Sequence, residues 1–273
     1  MPKHEDIRYS QANAFELPAF VTTPQVHRVH DFCEAVRKTH TIGLLTGMPG
    51  VGKTWAAQHK AQIEPEPEDF RASPVLYTSA DARAGVRGVL VDLLNCLGPD
   101  YRAPIGDMTR LVCCWIHRRM TELIIIDNAQ WLDKASLELL CNIHERTRCA
   151  ITLVGPPDLP KKMNRYREIQ NRVSIILEML PLTYDELLEF LQQWLSVYND
   201  FPPGTGMDSR HYTLEYRHQP DIVKEVYRVT WGNFRRVRQF MDQAARVTMV
   251  NEHYWIELET AQVVAVLMST GRL

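Results

Sequence analysis

Gly47-Met48-Pro49-Gly50-Val51-Gly52-Lys53-Thr54 fills every fixed position of the P-loop pattern G-x-x-x-x-G-K-[ST]. No other stretch constrains the chain as tightly, because a P-loop needs a strand before it and a helix after it. The glycines let successive backbone N–H groups turn inward around phosphate oxygens. Lys53 is the residue to reach the β- and γ-phosphates, and the Thr54 hydroxyl suits Mg²⁺. Both flanks agree. Thr41-Ile42-Gly43-Leu44-Leu45 reads as a short buried strand, and Trp55-Ala56-Ala57-Gln58-His59-Lys60 as a helix whose N-terminus faces the phosphates. Gly47, Pro49, Gly50, Val51, Gly52, Lys53, Thr54 and Trp55 are the candidate nucleotide-binding residues, and ATP with Mg²⁺ the expected cofactor pair.

A P-loop needs a second carboxylate, at the end of a neighbouring buried strand, to hold Mg²⁺ through water. Asp127 closes the apolar run Leu123-Ile124-Ile125-Ile126 and meets that requirement. The next residue departs from a hydrolysing layout. Asn128 stands where a glutamate would polarise the attacking water, and an amide cannot accept the proton. Glu122 and Asp133 are the nearest other carboxylates, but neither is at the strand end.

The rest of the chain alternates strands and helices. Thr23 is a candidate N-cap and Pro24 a first helical residue for a helix over Gln25–Lys38. Ile63 to Pro74 reads as an exposed loop and Val75–Thr78 as a strand. Helices follow over Gly85–Leu97 and Asp107–Met120, then strand Leu123–Asp127, helix Ala135–Glu145 and strand Ala150–Gly155. The strands are continuous apolar runs, which predicts a parallel sheet covered on both faces. After Leu182 the pattern becomes helical: Asp185–Val197, Pro220–Thr230, Phe234–Val247 and a last apolar segment near Tyr254–Met268. The expected division is an N-terminal arm over 1–24, an α/β nucleotide-binding domain over 25–182 and a smaller helical domain over 183–273.

Composition narrows the function classes. A net charge of -2 excludes a protein that coats nucleic acid by bulk charge, so any DNA contact must come from local patches. None of the six cysteines forms C-x-x-C, so reduced core thiols are expected rather than a metal site. No segment is apolar for long enough to span a membrane, and Met1-Pro2-Lys3-His4-Glu5-Asp6 lacks a signal-peptide pattern. A soluble cytoplasmic protein is expected.

Three basic groups are candidates for contact with phosphate. Gly232-Asn233-Phe234-Arg235-Arg236-Val237 opens a C-terminal helix. It suits either a γ-phosphate contact or a solvated basic turn, and the P-loop favours the first. The segment Lys161 to Arg172 carries Lys161, Lys162, Arg165, Arg167 and Arg172. Such a run is usually a solvated face. In a ring or filament ATPase an arginine here reaches the neighbouring subunit's nucleotide; Arg172 is the first choice, with Arg165 and Arg167 in reserve. Arg83, Arg87, Arg102 and Arg110 are candidate DNA-facing residues, with ordinary surface arginines as the alternative.

The ensemble resembles an AAA+ ATPase. Its parts are Gly47–Thr54, Leu123–Asp127 with Ala129-Gln130, the Gly155 strand end, Asn171-Arg172, Gly232–Arg235 and Phe20-Val21-Thr22-Thr23-Pro24-Gln25-Val26. Over residues 20–245 it is most similar to the transposition regulators TnsC, TniB and MuB and to ExeA-type ATPases. That resemblance implies a parallel α/β P-loop domain followed by a helical lid. It implies that Lys53 and Thr54 bind ATP and Mg²⁺, that Asp127 is the Walker B carboxylate, Arg172 the arginine finger and Arg235 the sensor 2 arginine. It further implies helical or ring assembly on duplex DNA, recruitment of a TnsB-like transposase, and in some versions a TniQ- or TnsD-type adaptor. Asn128 and Pro156 depart from the family pattern, so slow or absent hydrolysis is expected. A helicase loader, a secretion-linked ATPase and a monomeric P-loop kinase are the other readings; the long helical C-terminal part speaks against the kinase.

Overall fold

The computed structural model describes residues 21–63, 73–82, 85–98, 104–199, 219–251, 253 and 255–270, with the side chains of 167, 168 and 194–199 outside that description. The chain enters at α1 (Pro24–Thr39) and β1 (Ile42–Thr46), then α2 (Lys53–Gln62) and β2 (Val75–Ser79). Helices α3 (Gly85–Leu97) and α4 (Ile105–Arg118) lead to β3 (Leu123–Asp127), a 3₁₀ turn at Ala129–Trp131, α5 (Lys134–Thr147) and β4 (Ala150–Val154). Two short helices, α6 (Leu159–Met163) and α7 (Arg167–Gln170), precede β5 (Val173–Glu178). The C-terminal part holds α8 (Tyr184–Asn199), α9 (Gln219–Thr230), α10 (Phe234–Val250) and α11 (Leu258–Thr270).

The five strands form one parallel sheet in the order β2-β3-β4-β1-β5. In the three inner strands every residue is buried. Alternate side chains go to opposite faces, as the two-residue period of a strand requires. Ile124, Ile126, Ile151 and Leu153 join the core under α3, α4 and α5. Leu123, Ile125, Ala150 and Val154 join the core under α1 and α2. The apolar run Val173–Leu177 is part of the edge strand β5, not a doubly buried one. Its residues alternate between half-buried and exposed, and Ile176 is 55% exposed.

Local chemistry sets the helix ends. Thr23 Oγ1 accepts from Val26 N at 3.3 Å and Pro24 is the first residue of α1, as the sequence predicts. Helix α4 starts two residues before the predicted Asp107 and ends at Arg118, because Met120 takes a left-handed φ of 50°. The predicted C-terminal segment near Tyr254 is helical only from Leu258, and Tyr254 itself lies outside the described residues. So do residues 1–20 of the predicted arm and 64–72 of the predicted acidic loop. The six cysteines are free thiols. Only Cys33, Cys141 and Cys149 are core residues; Cys96 and Cys114 are exposed, because they lie on the outward faces of α3 and α4.

Helices α8 to α11 enclose their own apolar core, centred on Phe240, Met241, Ile222 and Val226. Leu182 and, partly, Val21 pack into it. A tight turn fastens this part to the sheet. Leu182 N donates to Gly232 O at 2.9 Å, and Gly232 has a φ of +69°. A Cβ at Gly232 would fall 1.9 Å from Leu182 O, so only glycine fits there.

Candidate functional site

In a parallel sheet all carboxyl ends lie on one rim, and ligand sites form there. The P-loop leaves β1 at this rim. Ser79, Asp127 and Gly155 end β2 and β3 and follow β4 on the same side. A cleft of about 290 Å³ opens between the rim and α10. Pro49, Gly50, Gly52, Lys53, Thr54, Trp55, Asp127, Asn128, Gln130, Gly155, Pro156, Phe234, Arg235 and Arg238 line it. Sequence reasoning brings Lys53, Thr54, Asp127, Asn128 and Arg235 to this one place.

The floor is the P-loop. Gly52 has φ 108° and precedes α2 with no side-chain cap, so the free N–H groups and positive dipole end of α2 face the cleft. Lys53 Nζ folds back over the loop and donates to Gly47 O at 2.7 Å and Met48 O at 3.0 Å. Burial holds its amine below the ordinary lysine range; Asp127 opposes that shift and Arg235 adds to it.

Asp127 is buried and receives three donors. Thr54 Oγ1 reaches Oδ2 at 2.6 Å, Tyr77 OH reaches Oδ2 at 3.1 Å, and Asn128 N reaches Oδ1 at 2.7 Å. Burial raises the Tyr77 phenol above its ordinary pKa, and the charge of Asp127 and their hydrogen bond raise it further. The hydroxyl and carboxylate of Thr54 and Asp127 are hard oxygen donors at contact distance, a set that fits Mg²⁺. Asn128 sits at φ 55°. Its Nδ2 donates to Ser79 Oγ at 3.0 Å and its Oδ1 accepts from Gln130 Nε2 at 3.2 Å. Neither reserve carboxylate enters the cleft. Asp133 Oδ1 caps α5 by accepting from Ser136 N at 2.8 Å, and Glu122 pairs with Arg37 at the opposite end of β3.

The roof is the start of α10. Asn233 Nδ2 donates to Pro49 O at 2.8 Å and Arg235 N to Gly50 O at 2.9 Å. A Cβ on Gly50 would lie 2.6 Å from Asn233 Oδ1, so a larger residue would push this roof away.

The remaining candidates lie elsewhere. Arg172 is outside the cleft and its Nε donates to Glu145 Oε1 at 2.9 Å on α5. Arg165 is exposed. Lys162 is no solvated charge: its Nζ donates to Gln130 O at 2.7 Å and to Leu132 O, tying α6 to the turn after β3. Arg87 is exposed in the first turn of α3, and Arg110 on α4 is exposed but pairs with Asp107. Arg83 and Arg102 lie outside the described residues. Tyr77, Ser79 and Arg238 are site residues that sequence reasoning misses. Arg238 had a signal, since it stands three residues after Arg235 on one helix face. Tyr77 and Ser79 had none, because the β2–β3 register that pairs Ser79 with Asp127 is not written in a single sequence.

Comparison with known proteins agrees with this geometry. Residues 36–163 match the AAA domain family. A Staphylococcus aureus protein named "Potential ATP-binding protein" is 24% identical over 266 residues, 85% of this chain and 90% of that protein. The "Mu-like prophage FluMu DNA transposition protein B" of Haemophilus influenzae is 30% identical over 174 residues, 60% of this chain and 58% of that protein. Among solved structures, the Aeropyrum pernix ORC2 protein in ADPNP–ADP complexes superposes with a TM-score of 0.68 at 16% identity, over 90% of this chain and 69% of that one. The chain thus has the P-loop AAA+ fold, a central parallel sheet flanked by helices and followed by a helical C-terminal part.

Proposed function

We propose that this chain binds ATP with Mg²⁺, assembles with copies of itself on duplex DNA as a ring or filament, and regulates transposition in the manner of the TnsC, TniB and MuB proteins. The observation that carries the nucleotide half is the convergence of Lys53, Thr54 and Asp127 in one cleft under an uncapped helix N-terminus. The backbone of Gly47–Gly52 and Lys53 would hold the phosphates. Thr54 directly, and Asp127 through water, would hold Mg²⁺, which neutralises phosphate charge when bound. Arg235 would contact the γ-phosphate from α10. The transposition half is supported by the similarity to the Haemophilus transposition protein B.

The chain's own residues point to ATP as an assembly ligand with slow turnover. Asn128 is neutral and hydrogen-bonded at both ends of its amide, and Pro156 offers neither hydroxyl nor N–H. Arg172 is proposed as the finger that reaches a neighbouring copy, and Arg87 as a DNA contact along with Arg83, Arg102 and Arg110. The proposed division into an AAA+ domain over 25–182 and a lid over 183–273 is supported by the separate core of α8 to α11. A TnsB-like transposase and a TniQ- or TnsD-type adaptor are the proposed partners, in a cytoplasmic, nucleoid-associated setting. Among the described residues no helix is long and apolar enough to cross a membrane.

Size-exclusion chromatography with ATP and duplex DNA tests this reading. A large complex that needs both ligands, and that Lys53→Ala abolishes, is expected. Assembly that persists in Lys53→Ala would break the link to the P-loop. A wild type that stays monomeric with both ligands would favour the kinase reading, and association with a helicase the loader reading.

A further inference from the structure

We infer that Arg238 is a specificity-determining residue of the cleft, placed to engage the terminal phosphate of a nucleoside triphosphate, and that Asp242 holds its guanidinium when that phosphate is absent. The inference rests on the nucleotide reading above and deepens it.

Arg238 lines the cleft together with Arg235. The two are three residues apart on α10, so their side chains leave one helix face. The first turn of α10 is fastened to the P-loop by the bonds from Asn233 and Arg235 to Pro49 and Gly50. That face therefore stands at a set height over the phosphate-binding floor. The charged side chains lining the cleft are Lys53, Arg235, Arg238 and Asp127, three cations against one carboxylate. Such a surplus selects for the more highly charged anion. A guanidinium also offers phosphate a planar fork of donors, which an ammonium does not.

Asp242 follows Arg238 by one helical turn. Arg238 Nε lies 3.8 Å from Asp242 Oδ2, inside ion-pair range but beyond hydrogen-bond range. Burial raises the Asp242 carboxyl above its ordinary value, while Arg238 and Arg246 pull it back. The pair is loose and partly exposed, the kind whose rupture costs little. Asp242 is thus a weak holder that a phosphate oxygen can outcompete.

The test is calorimetric titration of the full chain with ATP and with ADP, both with Mg²⁺, for the wild type and three variants. Arg238→Gln is expected to weaken ATP about tenfold and to leave ADP within about twofold, the loss of one charge-assisted contact. Arg238→Lys keeps the charge but not the fork, and is expected to lose part of the ATP preference. Asp242→Asn is expected to raise ATP affinity about threefold and leave ADP unchanged. If Arg238→Gln and Arg238→Lys change ATP and ADP alike, or change neither, the role of Arg238 is overturned. An unchanged ATP/ADP ratio in Asp242→Asn overturns the holder. A wild type that binds neither nucleotide defeats the nucleotide reading itself, an outcome visible before any variant is made.

Discussion

Asn128 Nδ2 donates to Ser79 Oγ at 3.0 Å and so joins the carboxyl ends of β3 and β2 at the rim of the cleft. The two residues are 49 positions apart, and the contact exists only because Ser79 pairs with Asp127 in the sheet. With Oδ1 held by Gln130, the Asn128 amide is fixed in place beside Asp127 and has no basic site to offer. Steady-state phosphate release by the wild type is therefore expected to be slow, with or without DNA. Asn128→Glu supplies a carboxylate at the same spot and is expected to raise the rate at least about tenfold, given that a positioned base typically contributes ~10²–10⁴-fold. Brisk wild-type release that the glutamate leaves unchanged would refute this.

Tyr77 gives Asp127 its third donor. Tyr77→Phe removes the hydroxyl without changing the ring that packs against the α1–α2 core. The expected stability loss is about 1.5–3 kcal/mol, the usual worth of a hydrogen bond to a charged group. Asp127 would also be less firmly aimed at the proposed Mg²⁺ position. A Mg²⁺ titration at fixed ATP should then show a higher half-saturating concentration, with nucleotide affinity in EDTA unchanged. An unmoved Mg²⁺ curve would leave Tyr77 with packing alone.

The His30 and His59 rings join α1 to α2, with centroids 5.2 Å apart and planes 16° from parallel. Burial lowers both pKa values below 6.5, and His59, Lys60 and His27 lower that of His30 further. The folded chain thus binds these protons less readily than the unfolded chain. Their stabilising contribution is full above the unfolded value and is lost as pH falls through it toward the folded pKa values. The melting temperature is expected to fall between about pH 7.5 and about pH 5.5, and His59→Gln to shrink that fall. A fall of equal size in the variant would assign it to other groups.

Arg172 tests the proposed contact between copies. Its pairing with Glu145 is a surface ion pair, worth about 0–1 kcal/mol. Arg172→Ala should therefore melt close to the wild type while its ATP-dependent complexes weaken in sedimentation. Normal assembly would move the role to Arg165 or Arg167, or show that the nucleotide is not shared between copies.

What the sequence made legible was local. The P-loop is contiguous, its strand and helix are adjacent, and Asp127 announces itself as a charge ending an apolar run. The Thr23 cap and the Pro24 start of α1 are likewise decided within four residues. What depends on pairing was hidden. Val173–Leu177 reads as apolar, yet its place at the sheet edge leaves Ile176 exposed. Ser79 and Tyr77 enter the site through register, and Arg238 through the docking of α10 on the loop. Lys162 reads as surface charge, but two backbone carbonyls claim it.

The bonds from Asn233 and Arg235 to Pro49 and Gly50 have a mechanical consequence. A tilt of α10 about its first turn must therefore either break these two bonds or drag two residues of the P-loop with it. With 17 residues, α10 is a bar roughly 25 Å long. Its far end, where Met249 and Val250 are exposed, is the long arm of a lever whose short arm is the loop itself. A push of several ångströms at Val250 would arrive at Gly50 as a displacement of a fraction of an ångström, on the scale that separates a well-aimed N–H from a poorly aimed one.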